Sequence, residues 1–286
     1  MKIEIGRLSE SLSRGLRVWR DELGTTLSWW VWNIPYHFIS ILIGVLIYYY
    51  YAQAFGGRSS LFGDNFIAYI IMGLMVNAFL DVSMSAYYHA ITALYSGRVG
   101  IGGLALSRID YFYLANISPY YFISARVAYQ YITQAIIAAL YLVIGTFFFK
   151  FSISLGANLW LALLLLALGV LACSGIGLIS ASMYWIADVY VGVEPIVWSI
   201  RVLVPLVSGV YVPLKVLPPW VKSISLLLPQ TYVISGVRRV LLSNVSLQEV
   251  LPNIITLIIF SVILIPTGIM MLKYSLYLAK KRGTIL

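Results

Sequence analysis

Residues 157–184 read ANLWLALLLLALGVLACSGIGLISASMY, a stretch without one charged side chain. A helix needs about 20 consecutive apolar residues to cross the hydrocarbon core of a bilayer. The rest of the chain has the same character, since 61% of its 286 residues are hydrophobic, 10% are charged and the mean hydropathy is +0.92. This composition excludes a soluble globular domain and predicts an integral membrane protein.

Five more apolar blocks accompany this one, and each is long enough to cross a bilayer. Strands of a membrane barrel would alternate polar and apolar residues, which these blocks do not. Helices satisfy their own backbone groups in lipid, so we expect an all-α polytopic membrane protein with six transmembrane helices in one domain over residues 29–286. The predicted spans are residues 29–54, 65–88, 121–149, 157–184, 189–212 and 251–275.

Residues 1–28 precede the first span and predict an amphipathic helix. Apolar residues recur at steps of three and four, with charged residues between them. The apolar stripe consists of Ile5, Leu8, Leu12, Leu16, Trp19 and Leu23. Such a helix lies along a membrane surface with its arginines near lipid phosphates. Two interpretations stay open: the helix is a lipid anchor only, or its polar face also binds a cytoplasmic partner.

The distribution of lysine and arginine predicts the orientation. With the N-terminus inside the cell, twelve of these residues fall on the cytoplasmic side, counting Arg126 and Lys273 near the inner ends of their spans, and six fall outside. Because cytoplasmic loops carry the excess of positive charge, we expect a multi-pass protein of the cell membrane with both termini in the cytoplasm. The net charge of +9 is dispersed along the chain, which favours contact with anionic lipids over binding of nucleic acid.

A few ionisable residues fall inside the predicted spans, and four of them are candidates for a functional role. They are Asp81, Arg126, Glu194 and Arg201. A charge inside a membrane costs at least a few kcal/mol and indicates a role. We expect pairing between helices, for example of Asp81 with Arg126, or direct contact with a substrate. Glu194 and Arg201 are seven residues apart and share one helix face.

The sequence contains no recognisable catalytic, metal-binding or nucleotide-binding motif. His37 and His89 lie on different spans, no HExxH motif occurs, and Cys173 has no companion, so we expect no metal site. GxxxxGK[ST] is absent as well, so the chain has no P-loop for ATP. The sequence predicts no catalytic residue, no enzyme and no bound cofactor, and any ATP that powers it is hydrolysed by another polypeptide.

Prolines interrupt the chain after the fifth predicted span. Pro213, Pro218 and Pro219 cannot continue a helix, and the apolar segment of residues 219–228 is too short to cross. A second short helical pattern follows Pro229. The sequence therefore predicts two short re-entrant helices at the outer surface between spans 5 and 6, which form an outer lid over the bundle.

The same stretch, SGVYVPLKVLPPWVKSISLLLPQTYVISGVRRVLL at residues 208–242, resembles the permeases of type-2 ATP-binding-cassette (ABC) exporters. The residues that match the pattern of that family are Ser208, Gly209, Pro213, Pro218, Trp220, Pro229, Thr231, Tyr232, and Arg238 or Arg239. The predicted lid residues are Ser208, Gly209, Pro213, Pro218, Pro219, Trp220, Pro229, Tyr232 and Arg238. The resemblance is specific over this stretch and architectural over the rest of the chain.

The resemblance implies that residues 95–119, YSGRVGIGGLALSRIDYFYLANISP, are the segment that couples the permease to its ATPase. The glycine-rich part superficially resembles a dinucleotide fingerprint, but without a βαβ unit we interpret it as flexible backbone. The expected coupling residues are Gly97, Arg98, Gly100, Gly102, Gly103, Arg108, Asp110, Ser118 and Pro119. The chain departs from the family by lacking a glutamate-rich element before the proline, where Asp110 is the only acid nearby.

The resemblance further implies a half-transporter. It would work with two ABC nucleotide-binding subunits, which use ATP and Mg, and with a second copy of itself or a homologous permease in the lipid membrane. The expected substrate is a hydrophobic or amphipathic drug or lipid, exported by alternating access. A lipid-linked polysaccharide permease of the same class is the alternative, and an ATP-independent secondary transporter is a more distant one, because the spans carry few acids and no convincing inverted repeat.

Overall fold

A computed structural model of the chain describes residues 2–54, 66–96, 98–101, 104–149, 158–186, 194–243 and 245–282. Helices dominate these ranges, and one small antiparallel ribbon joins them. The elements are α1 (Lys2–Trp30), α2 (Ile34–Ala54), α3 (Phe66–Ser96), β1 (Arg98–Ile101), β2 (Leu104–Ser107), α4 (Arg108–Leu114), α5 (Tyr120–Phe149), α6 (Leu159–Ile186), α7 (Pro195–Val207), α8 (Pro219–Ser225), α9 (Pro229–Ser243) and α10 (Leu247–Lys281).

Five helical stretches of the described chain are long and apolar enough to cross a membrane. They are Leu12–Tyr51, Phe66–Tyr95, Tyr120–Phe149, Leu159–Ile186 and Leu247–Lys281. Each contains or closely overlaps one of the predicted spans 1, 2, 3, 4 and 6. The prediction of a multi-pass, helical membrane protein is confirmed.

The predicted fifth span, residues 189–212, is not confirmed as a crossing helix. The helix described there, α7, has 13 residues, which is about 20 Å of helix against a hydrocarbon core of about 30 Å. Residues 208–212 form a turn, and residues 189–193 lie outside the described part of the chain. A count of six spans therefore stays a prediction.

The N-terminal helix is held against the bundle. α1 continues two residues past the predicted boundary at residue 28 and joins α2 through a short 3₁₀ turn, Val31–Asn33. It packs on the start of α5, where the backbone of Gly15 lies so close to the Tyr121 ring that an added side chain would require the ring to move. Leu12 and Leu16, part of the predicted apolar stripe, are exposed, as expected of residues that face lipid.

Small residues allow the central helices to approach closely. A side chain at Gly177 of α6 would meet the Met84 carbonyl oxygen of α3, and one at Gly175 would meet the backbone of Leu264 in α10. Glycine at such positions permits tight helix packing in membranes, where burial of apolar surface no longer favours association. α6 is thus the central helix, packed between α3 and α10.

The glycine-rich segment after α3 is a β-hairpin over its described residues. Arg98 pairs with Ser107 and Ile101 pairs with Leu104 in antiparallel register. The prediction of flexible backbone, made for residues 97–105, was wrong for the six of these positions that lie in the strands, because β-branched and apolar residues between the glycines favour paired strands. Gly97, Gly102 and Gly103 lie outside the described residues.

Both terminal helices reach the end of the bundle that carries α4, which we call the α4 end. Arg282, just after α10, donates from Nη1 to the Trp185 carbonyl near the end of α6 at 2.9 Å. The Trp185 ring in turn lies 4.6 Å from the ring of Tyr95 near the end of α3. Gly15 of α1 lies beside the start of α5. The opposite end carries α8 and α9, and we call it the α9 end.

Candidate functional site

Over its described residues, the predicted coupling segment is a compact structure at the α4 end. The backbone N–H and hydroxyl of Ser107 donate to Asp110 Oδ2 at 2.8 and 2.6 Å, and these bonds start α4 as a capping box. After α4, Asn116 has a φ of 53°, in the left-handed region that asparagine tolerates. Ser118 and Pro119 then lead into α5. Asp110, expected as a contact for an ATPase, therefore caps a helix.

Arg108 points toward its own bundle. Its Nη1 lies 3.5 Å from the Ala93 carbonyl of α3, and its guanidinium lies 5.8 Å from the centre of the Phe122 ring. Arg126 lies 5.4 Å from the same ring and pairs with Glu22 of α1 at 2.6 Å. These contacts connect α1, α5 and α4. Of the other expected coupling residues, Arg98 and Gly100 are described in backbone only.

Besides Ser118, which was an expected coupling residue and is exposed, the outward surface of this segment is formed by residues outside the predicted set. Tyr113, Asn116 and Tyr120 are exposed, and Leu114 is 69% exposed. Two large apolar side chains at the tip of a short helix are unusual in a solvated loop. The stretch YFYLA at residues 111–115 carries this signal, since aromatic and apolar residues cluster there between polar ones.

Three of the four predicted intramembrane charges meet in one cluster between α3 and α7. Arg201 Nε lies 2.7 Å from Asp81 Oδ1, and Arg201 Nη2 lies 3.8 Å from Glu194 Oε2. His89 Nε2 completes the cluster at 3.1 Å from Glu194 Oε1. The predicted pairing of Asp81 with Arg126 was wrong, because α7 lies beside α3 while Arg126 lies near α1. His89 was considered only as a metal ligand.

The charged cluster is reachable from outside the chain. The side chains of Arg201 and His89 are 42% and 48% exposed, whereas Glu194 is buried. Charged groups at such depth cannot face hydrocarbon without a large cost, and in membrane proteins they line water-filled cavities or protein interiors. This face of α3 and α7 is therefore unsuited to direct contact with lipid tails.

At the α9 end, Arg238 holds the turn that follows α7. Its guanidinium donates from Nε to the Tyr69 carbonyl at 3.0 Å, from Nη1 to the Gly209 carbonyl, and from Nη2 to the Val210 carbonyl at 2.7 Å. The Tyr69 hydroxyl also donates to Gly209 at 2.8 Å. Gly209 has a φ of +87°, a conformation that favours glycine. Ser208 is the C-cap of α7, and its hydroxyl donates to the Val204 carbonyl.

The remaining lid residues lie in α8 and α9, except Pro213, which lies in the loop before α8 and accepts a bond from the Val216 N–H at 3.0 Å. Pro218 and Pro219 occupy the N-cap and first position of α8, and Pro229 begins α9, positions where the missing N–H of proline costs nothing. The Tyr232 hydroxyl donates to the Leu226 carbonyl at 3.0 Å, which ties α9 to the end of α8. Trp220 is exposed on α8, away from these contacts.

α9 runs along α3 for much of its length. Gln230, at the start of α9, donates from Nε2 to Met84 Sδ at 3.0 Å, while Arg238, two turns later, reaches Tyr69. Met84 and Tyr69 are about 22 Å apart along an ideal helix. The start of α9 therefore lies deep beside α3, and its end lies at the surface of the α9 end.

In the described part of the chain, no group of three or more histidine, cysteine, aspartate or glutamate residues could hold a metal ion. Cys173 is fully buried.

Comparison with known families adds one match. Residues 105–242 match the model of the family described as ABC-2 type transporter. The match begins in β2 and ends in α9, so it contains α4, the α7 part of the charged cluster and the predicted lid. No curated protein matches the chain.

Proposed function

The chain carries the membrane domain of an ABC-2 type transporter and is a permease subunit of an ABC transporter, and we propose that it exports a hydrophobic or amphipathic substrate, a drug or a lipid. Transport subunits of this family work with ATPase activity in separate proteins. Two ABC ATPase subunits, which bind ATP and Mg, would drive the transport by alternating access.

The observation that carries this proposal is the accessible charged cluster of Asp81, His89 and Arg201 on an otherwise apolar face. Charges in that position require water or protein in front of them. A second copy of the chain, or a homologous permease, that packs along the edges of this face would enclose a path between the two bundles. A polar group of an amphipathic substrate would meet the cluster, and its apolar body would meet the neighbouring apolar residues of α7.

The α4 segment is the proposed contact with the ATPase. Its exposed tip, with Tyr113 and Leu114, has the aromatic and apolar character of a binding anchor. The capping box holds α4 as a short rigid unit, and the contacts of Arg108 and Arg126 around Phe122 join it to α1 and α5. A push on α4 would therefore reach both helices together.

The α4 end is proposed to face the cytoplasm of a cell-membrane protein. α1, with Arg14, Arg17 and Arg20 on its exposed side, and the end of α10, with Lys280 and Lys281, both lie there, which follows the distribution of positive charge in cytoplasmic segments. The pair α8 and α9 would then enter the outer leaflet as re-entrant helices and close the outer exit while Arg238 holds them to α3.

The test is capture of an ABC ATPase subunit co-expressed with the chain, followed by transport in proteoliposomes. Leu114→Asp puts a charge at the proposed anchor, and we expect at least a tenfold loss of affinity, about 1.4 kcal/mol. Trp220→Asp is the matched control, since it places the same charge on an exposed apolar residue at the opposite end, and capture should not change.

Two results would overturn the proposal. Transport by the purified chain without nucleotide would indicate a secondary transporter. Equal loss of capture in Leu114→Asp and Trp220→Asp would show that α4 is not the contact. A substrate screen that includes lipid-linked polysaccharide distinguishes the drug and lipid class from its alternative.

A further inference from the structure

A cavity of about 450 Å³ lies at the α4 end, between α4 and the ends of the long helices. Its wall includes Phe112 of α4, Leu94 and Tyr95 of α3, Trp185 of α6 and Leu276 of α10. The turn between α4 and α5 closes another side. This volume falls within the range of about 300 to 1,000 Å³ that small-molecule sites occupy.

The lining has the chemistry of a site for an uncharged amphiphile. Most of the wall is aliphatic or aromatic, and among the described residues that form it none is charged. Polar but neutral groups occur at Asn116 and Ser118, both in the turn after α4. The apolar part of a ligand in this cavity would contact aromatic rings and aliphatic side chains. One hydroxyl or carbonyl group of the ligand could form a hydrogen bond with the turn.

Aromatic residues make one wall rigid. The Tyr95 ring lies 4.6 Å from that of Trp185 in an edge-on arrangement, and Tyr184 lies 5.1 Å from Trp185. Trp185 is only 2% exposed, and its backbone carbonyl is held by Arg282. Rings fixed in this way keep their shape when a ligand enters, which lowers the entropic cost of binding.

We propose that this cavity binds a small uncharged amphiphile, with an alkyl or aryl body and a single hydroxyl or carbonyl group, and that its occupant controls the movement of α4. α4 contributes Ile109, Phe112 and Tyr113 to the wall, so a ligand contacts this helix directly. The opposite wall belongs to α3, α6 and α10. The ligand therefore fills the space through which α4 would approach the bundle.

The effect on transport rests on the proposed function of α4 as the contact with the ATPase. An occupied cavity keeps α4 apart from the ends of α3 and α10. The ATPase then cannot push α4 into this space, so the ligand opposes the closing movement that accompanies hydrolysis. Occupancy is expected to lower substrate-stimulated ATP hydrolysis while leaving the capture of the ATPase unchanged.

Binding is tested on the purified full-length chain by the fluorescence of Trp185. A brominated medium-chain alcohol is the probe, because bromine quenches tryptophan at close contact and the alcohol has the proposed chemistry. The signal is the difference between the wild type and Trp185→Phe, which removes the contribution of the other tryptophans. We expect saturable quenching that the unbrominated alcohol reverses.

Cavity-filling variants decide whether the site is the proposed one. Leu276→Phe reduces the volume of the cavity and should lower the affinity of the probe at least tenfold. Ile91→Phe, at another wall, should do the same. Leu251→Phe is the matched control, since Leu251 lies exposed at the far end of α10, and it should bind as the wild type does. Quenching that is not saturable, or is equal in all three variants, overturns the proposed site.

The second arm measures ATP hydrolysis in the complex with the ATPase. The unbrominated alcohol should lower substrate-stimulated hydrolysis in the wild type and in Leu251→Phe, and have at least tenfold less potency in Leu276→Phe. Saturable binding without any effect on ATP hydrolysis would contradict the proposal that the ligand controls the movement of α4. A chain that stimulates no ATPase at all contradicts the proposed function, while the binding result is judged by quenching alone.

Discussion

The guanidinium of Arg238 stacks on the ring of Tyr69, with its central carbon 3.5 Å from the ring centre. The two residues belong to α9 and α3, which are 169 positions apart in the chain. The same guanidinium donates to three backbone carbonyls of Tyr69, Gly209 and Val210. One side chain therefore fastens the turn after α7 and the helix α9 to the start of α3.

Replacement of Arg238 by lysine should destabilise the protein. Lysine keeps the charge but cannot reach three separated carbonyls with one ammonium group, so buried acceptors are left without a donor. We expect a loss of about 2 to 3 kcal/mol, measured as a lower midpoint of thermal unfolding in detergent. Arg239→Lys is the control, because Arg239 is half exposed and its pair with Glu249 is worth at most about 1 kcal/mol. Equal shifts in the two variants would contradict the role of Arg238.

Gly177→Ala should separate α6 from α3. The added methyl carbon would lie 2.6 Å from the Met84 carbonyl oxygen and 2.7 Å from that of Ser83, and neither backbone atom can move alone. We expect a cost of about 1 to 3 kcal/mol, visible as lower thermal stability and lower yield of folded protein.

Gly44→Ala is the matched control for this substitution. Gly44 lies inside α2 with nothing within 4 Å of an added side chain. Alanine there should be neutral, or stabilising by up to about 1 kcal/mol, because alanine favours a helix over glycine. If both substitutions have the same effect, close packing between α3 and α6 is not what Gly177 provides.

The pair of Asp81 and Arg201 should show coupling in a double-mutant cycle. Arg201→Gln leaves two acids, Asp81 and Glu194, next to each other without their cation, and Asp81→Asn leaves the cation with one acid. We expect the double variant to be more stable than the sum of the single losses predicts, by about 1 kcal/mol, in thermal unfolding experiments.

Transport by the same variants decides between pairing and substrate contact. If these side chains only pair with each other, the double variant should transport better than either single one. If they contact the substrate, the double variant should be stable and inactive. Strict additivity in stability would show that the pair contributes nothing.

Glu22→Gln should loosen α1. The carboxylate lies 2.6 Å from Arg126 of α5, and both side chains are mostly buried, so its loss removes the ionic contact between these helices. We expect amide hydrogen exchange in residues 12–30 to accelerate several-fold, with no change in α6. Asp21→Asn is the control, because Asp21 pairs with its neighbour Arg20 at the surface; unchanged exchange in Glu22→Gln would mean that other contacts hold α1.

Long apolar runs were enough to predict the class of the protein and the approximate bounds of α3, α5, α6 and α10. Each of these helices satisfies its backbone within itself, so its existence depends on local composition. The proline pattern of residues 208–242 predicted the breaks before α8 and α9 for the same reason, because proline acts on its own backbone. The family match over residues 105–242 agrees with the resemblance of that stretch.

Partners across helices could not be predicted in this way. Asp81 was expected to pair with Arg126, and it pairs with Arg201 because α7 lies beside α3. The hairpin of β1 and β2 was missed because glycines hid a pattern of strand-forming residues. The sequence around Leu114 does not distinguish an exposed residue that binds a partner from a residue buried in the core.

The sequence by itself determined that the chain lies in a membrane, that its helices are long and apolar, and where prolines stop them, because each of these properties follows from neighbouring residues in lipid. Only the tertiary structure decided which charges meet, that Arg238 holds Gly209 and Tyr69, and that a cavity lies beside Trp185. Those features depend on how helices far apart in the chain pack through glycines and small residues, and that packing is set by contacts among all of them at once.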